Sequence, residues 1–211
     1  MNNIVYYILL LPIGLLSISF HEYMHGKVSN MLGDPTPAIM GRLTLNPLAH
    51  LDPVGALALI LFRIGWARPV PVNPRYYENP RKGLMYVALA GPASNFFLAL
   101  VFAALLRLSL MTNFFGFYYL TGGNSTIIYL ISNMLYMGVS LNITLALFNL
   151  LPLPPLDGSK ILMGILPARF SRYFYKLEGP LGLIIILVLF TFDIIGKIIY
   201  PLASFFLNIL V

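Results

Sequence analysis

Residues 4–26 read IVYYILLLPIGLLSISFHEYMHG, an uncharged apolar run to Phe20 followed by two histidines and a glutamate. Counted through its polar end, the segment is long enough at 1.5 Å per residue to cross about 30 Å of hydrocarbon. No Lys or Arg precedes the run and no cleavage-site pattern follows it, so this span is expected to be retained rather than removed as a signal peptide. The rest of the chain agrees with a lipid environment. Of 211 residues, 59% are hydrophobic and 9% charged, against about 25% charged in soluble domains. A soluble core could not absorb that much apolar surface. Cysteine is absent, which excludes disulfides and thiolate metal ligands and leaves His, Asp and Glu to hold any metal.

Outward from the first span, residues 27–82 change character. Seven of the thirteen basic residues lie here, with a run of prolines from Pro69 to Pro74. GRLTL at 41–45 alternates like a strand and RPVPV at 68–72 is extended by its prolines, so the two are expected to pair as a short β-ribbon. That element could hold an unwound peptide by strand addition. Val54 to Phe62 is apolar but only nine residues long, too short to span as a helix, and reads as re-entrant or interfacial. Further spans are expected at Leu84–Leu106, Thr126–Leu151 and Leu181–Tyr200, with Pro201 breaking the last helix before an apolar tail. Asp193 and Lys197 are spaced for an ion pair.

The loops at 27–82 and 158–178 carry eleven of the thirteen basic residues, and the loop at 108–125 carries none. The positive-inside rule places both basic loops in the cytoplasm. With no internal repeat and no low-complexity linker, residues 1–211 read as a single integral-membrane domain. The fold class is an all-α polytopic membrane protein. Tyr118, Tyr119 and Tyr200 suit the membrane interface.

His21-Glu22-Tyr23-Met24-His25 has the HExxH spacing. On a helix, positions i and i+4 share a face, so two imidazoles can reach one Zn²⁺ at about 2.0–2.1 Å. Glu22 lies about 100° round the helix. It can serve as general base to a metal-activated water without being a ligand. These groups end an apolar helix, where charge is costly and usually functional. A catalytic zinc needs a third protein ligand and an open position. Asp157, His50, Asp52, Asp34 and Glu78 are the candidates. Asp157 is the best placed, because it follows a long apolar helix on the same membrane side as His21 and His25. Pro152, Pro154 and Pro155 forbid a regular helix before it, and Gly158 permits a turn. His50 is the runner-up.

At these residues the chain resembles the site-2 protease family of intramembrane zinc metalloproteases. HEYMHG fits the family's HExxHG. AGPASN fits its GPxxN block through Gly91, Pro92 and Asn95. FNLLPLPPLDG fits NxxPxPxxDG through Asn149, Pro152, Pro154, Asp157 and Gly158. The segment from Gly33 to Pro80 looks like the small bacterial and archaeal members, which implies a prokaryotic cell membrane, and the pattern has no PDZ domain. The resemblance implies that His21, His25 and Asp157 bind one zinc per chain and that Glu22 is the base. It also implies a three-helix catalytic core with a further C-terminal helix and an active site facing the cytoplasm. Asn149 would lie near the zinc, where its amide could stabilise an oxyanion, though a helix-end hydrogen bond is the plainer use of it. Asn95 could equally shape a kink. The implied substrate is a transmembrane or membrane-adjacent segment in the bilayer; no nucleic-acid partner is expected, and oligomeric state is not legible. A membrane zinc-binding or zinc-transport protein would also explain intramembrane His and Asp, but it gives no reason for Glu22 between the histidines.

Overall fold

The apolar runs between polar loops become long helices, because lipid leaves the backbone no partner but itself. A computed structural model describes residues 3–55, 66–111, 125–170, 174 and 176–211. In chain order its helices are α1 (Asn3–Met31), α2 (Thr36–Ile39), α3 (Pro47–His50), α4 (Pro80–Met111), α5 (Ser125–Asn149), α6 (Asp157–Ile165), α7 (Pro180–Thr191) and α8 (Ile194–Leu210). Three of them, α1, α4 and α5, are long and apolar enough to cross a membrane. The pair α7 and α8 would add a fourth span if counted as one, although it bends by 71° at its break. The protein is a membrane protein, mostly helical.

Local signals fix the ends of α1 and α4. Gly33, at φ +97°, closes α1: the Asp34 N–H bonds Ser29 O and the Gly33 N–H bonds Asn30 O, which is the Schellman arrangement. Pro80 opens α4 at a position whose N–H has no helical use. Tyr77 then ties the two helix ends together, its hydroxyl 2.7 Å from Ser29 Oγ and its ring filling the space where a Cβ on Gly83 would stand.

The three long helices run up, down and up. Leu9 and Ile13 of α1 pack with Met137 of α5 and against Phe102 of α4. Ala99 and Ala103 of α4 pack with Val139 and Ile143 of α5. The same cluster takes in Ile195, Ile199 and Ala203, so α8 docks on the core through one apolar face. Arg107 pins its end by donating to Ile209 O at 2.6 Å.

Three expectations need correction. GRLTL and RPVPV form no ribbon: the described residues contain no strand, and the antiparallel bridge that does form joins Leu51 to Ala67. Pro69 and Pro71 bring no N–H to a ladder. Arg42 instead uses its side chain, donating through Nη2 to the carbonyls of Arg68 and Pro69. Pro201 does not end a helix but lies inside α8. The break falls at Asp193, which adopts φ +53°. Asp193 and Lys197 form no ion pair among the described residues; what joins them is Lys197 N–H to Asp193 O at 3.1 Å. Most of the re-entrant reading, residues 56–62 of Val54–Phe62, and most of the 108–125 loop lie outside the described residues.

Candidate metal centre

Helical spacing brings His21 and His25 to one face of α1, with their Nε2 atoms 2.9 Å apart. Asp157 arrives from the other end of the chain. Its Oδ2 lies 3.2 Å from each Nε2. The turn between α5 and α6 delivers it. Gly158 has no side chain, and a Cβ there would strike the carbonyls of Leu150 and Leu151. The chain can therefore fold tightly back and start α6 at Asp157, whose carboxylate sits at the positive end of that helix. Arg81 holds α6 against α4 by donating from Nε to Met163 O at 2.6 Å. All three ligand-type side chains are buried, at 8–9% exposure.

These atoms fit a cation. The His25 ring bonds Val87 O through Nδ1 at 2.7 Å, and a carbonyl only accepts, so that nitrogen carries the proton. His21 Nδ1 lies 2.6 Å from Asn95 Oδ1 and donates for the same reason. In the neutral rings, both Nε2 atoms then present lone pairs to each other and to a carboxylate oxygen. Three acceptors converging at 2.9–3.2 Å repel unless a positive ion joins them. A tetrahedral site with bonds of 2.0–2.1 Å has edges of about 3.3–3.4 Å, close to this triangle. Among the described residues, His21, His25 and Asp157 are the group able to hold a metal ion.

The GPxxN block supplies space and an acceptor. A Cβ at Gly91 would collide with both imidazole rings, so only glycine lets α4 lie this close to α1. Asn95, which the sequence left between a kink and a role, is fully buried and bonds His21. Asn142 is a residue that motif reading did not single out. It is fully buried in α5 and contacts Asn95. No signal within α5 sets it apart, because Asn133 and Asn149 lie in the same helix.

Glu22 projects from the neighbouring face of α1. Its Oε2 accepts the Val70 N–H at 2.9 Å. Gly26 makes room for that contact: a Cβ there would press on Leu43, Val70 and Pro37. Asn149 sits at the end of α5 with its amide donating to Leu145 O at 2.9 Å. His50 stands apart from the metal group: Nε2 donates to Thr44 O at 2.8 Å, and Nδ1 is buried without a partner. Asp34 accepts from Ser29, Thr36 and Asn73. Asp52 caps a turn through Gly55 N–H, and Glu78 is exposed.

The model of peptidase family M50 matches residues 7–191, from α1 through α7. This chain belongs to peptidase family M50. The relatives carry matching names. A protein of Bacillus subtilis named "Putative zinc metalloprotease YwhC" is 36% identical over 190 residues, covering 90% of this chain and 83% of the relative. Rip2 of Mycolicibacterium smegmatis is 27% identical over 210 residues, covering 96% and 74%. The zinc metalloprotease MJ0392 of Methanocaldococcus jannaschii is 24% identical over 208 residues, covering 98% of this chain and 49% of its own length. No solved structure matches the chain at a significant level. The M50 chain is thus a zinc metalloprotease of the membrane. Among the described residues, His21, His25 and Asp157 form a group that could hold one such ion.

Proposed function

We propose that this M50 protein hydrolyses peptide bonds in transmembrane or membrane-adjacent segments, with His21, His25 and Asp157 holding one zinc and Glu22 as general base. The convergence of two imidazoles and a carboxylate able to hold a metal ion, beside a second carboxylate outside that group, carries the reading. Zinc, when bound, polarises the scissile carbonyl and makes water a nucleophile near neutral pH. Glu22 takes the proton from that water and returns it to the departing amine. Because Oε2 already accepts the Val70 N–H, Oε1 is the oxygen open to the proton. The Asn149 amide keeps one N–H beyond its bond to Leu145 O, and in this proposal it donates to the carbonyl oxygen as charge develops there.

The substrate reading rests on where the chain carries its chemistry: HEYMHG lies within an apolar helix able to span, and Asp157 lies just past another. An apolar groove of about 430 Å³ runs beside the HEYMHG turn between α1 and α4, lined by Phe20, Met24, Tyr86, Leu89 and Phe97 among others. Its lining suits an apolar segment. A helical substrate hides its carbonyls in its own hydrogen bonds, so it must unwind locally before hydrolysis. In this proposal the protein is multi-pass in a prokaryotic membrane with the site toward the cytoplasm, a reading supported by the charge asymmetry of the loops.

Co-expression with tagged single-span membrane proteins tests this. Glu22→Gln keeps the size of the side chain, and its cleavage rate should fall about 10²–10⁴-fold while zinc content stays near that of the wild type. His21→Ala, His25→Ala and Asp157→Ala should each lose zinc, and His50→Ala should keep it. Undiminished cleavage by zinc-loaded Glu22→Gln would sink the mechanism.

A further inference from the structure

Ser17 of α1, Asn95 of α4 and Asn142 of α5 meet between the three core helices, and all three side chains are completely buried. Their hydrogen bonds have a direction that can be read from the backbone. Asn142 Nδ2 lies 2.8 Å from Gly138 O. A carbonyl only accepts, so the amide nitrogen must be on that side and the oxygen on the other. The same nitrogen donates to Ser17 Oγ at 2.9 Å, and the Ser17 hydroxyl passes its own proton to Ile13 O at 2.7 Å. Asn142 is therefore held with Oδ1 toward α4. There it accepts from Asn95 Nδ2 at 2.9 Å, while the same Asn95 nitrogen reaches Ser17 O at 3.3 Å. With its nitrogen committed, Asn95 can offer His21 only its oxygen.

We propose that Asn142 is a positioning residue for the metal centre: it fixes the orientation of the Asn95 amide, and thereby the tautomer of His21. The inference rests on His21 being a ligand. A flipped Asn95 amide would present N–H groups to His21 Nδ1, draw its lone pair there and place the imidazole proton on Nε2, where it blocks the metal. Without Asn142, the longer contact to Ser17 O is what remains to choose between the two orientations. Asn95 is the partner that bonds the ligand directly, and removing such a partner typically changes metal affinity about 10–100-fold; Asn142 acts through Asn95, so that range bounds its effect from above. The chain of bonds crosses all three core helices, so it also ties metal geometry to helix packing. A helix-packing role alone would also loosen the metal site by shifting its ligands, but it would not move the His21 proton from one ring nitrogen to the other.

The test reads the metal and the tautomer, not cleavage. Zinc affinity of the detergent-solubilised full chain is measured by chelator competition for wild type, Asn142→Ala, Asn95→Ala and the double variant. The expected result is a weaker affinity for Asn142→Ala, by no more than the about 10–100-fold loss expected of Asn95→Ala, with the double variant no worse than Asn95→Ala alone. In ¹⁵N-histidine spectra of zinc-free protein, His21 should carry its proton on Nδ1 in the wild type and on a mixture of both nitrogens in Asn142→Ala. Unchanged affinity and an unchanged tautomer in a folded Asn142→Ala protein would overturn the proposal, even if its thermal stability drops. Should that variant fail to fold, Ser17→Ala removes one acceptor that orients Asn142 and must weaken zinc binding in the same direction; no effect there also overturns it. His21→Ala keeps the two failures apart: full zinc binding in that variant refutes the ligand assignment itself.

Discussion

At Gly91 a single methyl group decides whether three ligand-type atoms can meet. Alanine is favoured over glycine in a helix by up to about 1 kcal/mol, so the substitution should help α4 taken alone. In the folded protein its Cβ would occupy the space of the His21 and His25 rings. Gly91→Ala is expected to remain helical by circular dichroism and to purify with far less than one zinc per chain by elemental analysis. Asp34 is a second residue whose surroundings override its intrinsic tendency. Burial pushes its carboxyl pKa up, but hydrogen bonds from Thr36, Asn73 and Ser29 outweigh burial and hold it below the ordinary carboxylate range. Its stabilising contribution is therefore present above the unfolded pKa of about 3.9 and lost as pH falls through the lower folded value. Asp34→Asn should melt below the wild type at pH 7, and the gap should narrow under acid, below about pH 4, in thermal scans of the solubilised protein. A gap that stays constant across that range would show that the carboxylate charge is not what these donors stabilise.

Among the elements, the segment after Trp66 does more than connect α3 to α4. Its prolines predict an extended segment that pairs with GRLTL, and at 69, 71 and 74 they leave it extended but short of donors. What donors remain are used singly: Arg68 N–H goes to His50 O, and Val70 N–H goes to the Glu22 carboxylate. Arg42 fastens the two carbonyls just before that contact, and Asn73 N–H anchors the far end on Asp34 at 2.7 Å. The element thus holds the proposed base in place. Val70→Pro removes the N–H that Glu22 accepts, a charge-assisted bond of about 1.5–3 kcal/mol. Cleavage by this variant should drop by roughly tenfold or more with zinc content unaltered. Equal loss of zinc would mean that the segment supports the metal group rather than the base.

For the whole molecule, the alternating directions of α1, α4 and α5 bring the HEYMHG end of α1, the start of α4 and the end of α5 to one side. The basic residues of 27–82 and 158–178 follow those same ends. A reporter inserted between Met111 and Ser125 should accordingly be reached from outside the cell, and one near Arg172 only from the cytoplasm. Finding both on one side would break the assignment of the site to the cytoplasmic end. The C-terminal pair adds bulk on one flank: α8 packs on α4 and α5 through Ile195, Ile199 and Ala203 and lies beyond the part of the chain that the family model matches.

Composition, helix length and the HExxH spacing are local or additive properties, so the sequence alone determined a helical membrane protein with two imidazoles on one helical face. The order of HExxHG, GPxxN and NxxPxPxxDG pointed to M50 and to Asp157, because those blocks keep the imprint of a shared site. Whether Asp157 Oδ2 would come within 3.2 Å of both imidazoles was not legible, since that distance depends on how closely α4 and α6 approach α1. Gly91 and Gly158 set that approach by what they lack, and a missing side chain gives no periodic signal. Alternation at GRLTL misled for a related reason: a strand needs a partner with free N–H groups, and the tertiary fold gave RPVPV to Glu22 and Arg42 instead. Asn142 was invisible within α5 because its meaning lies in the polarity of bonds reaching two other helices, and only packing brings those donors and acceptors together.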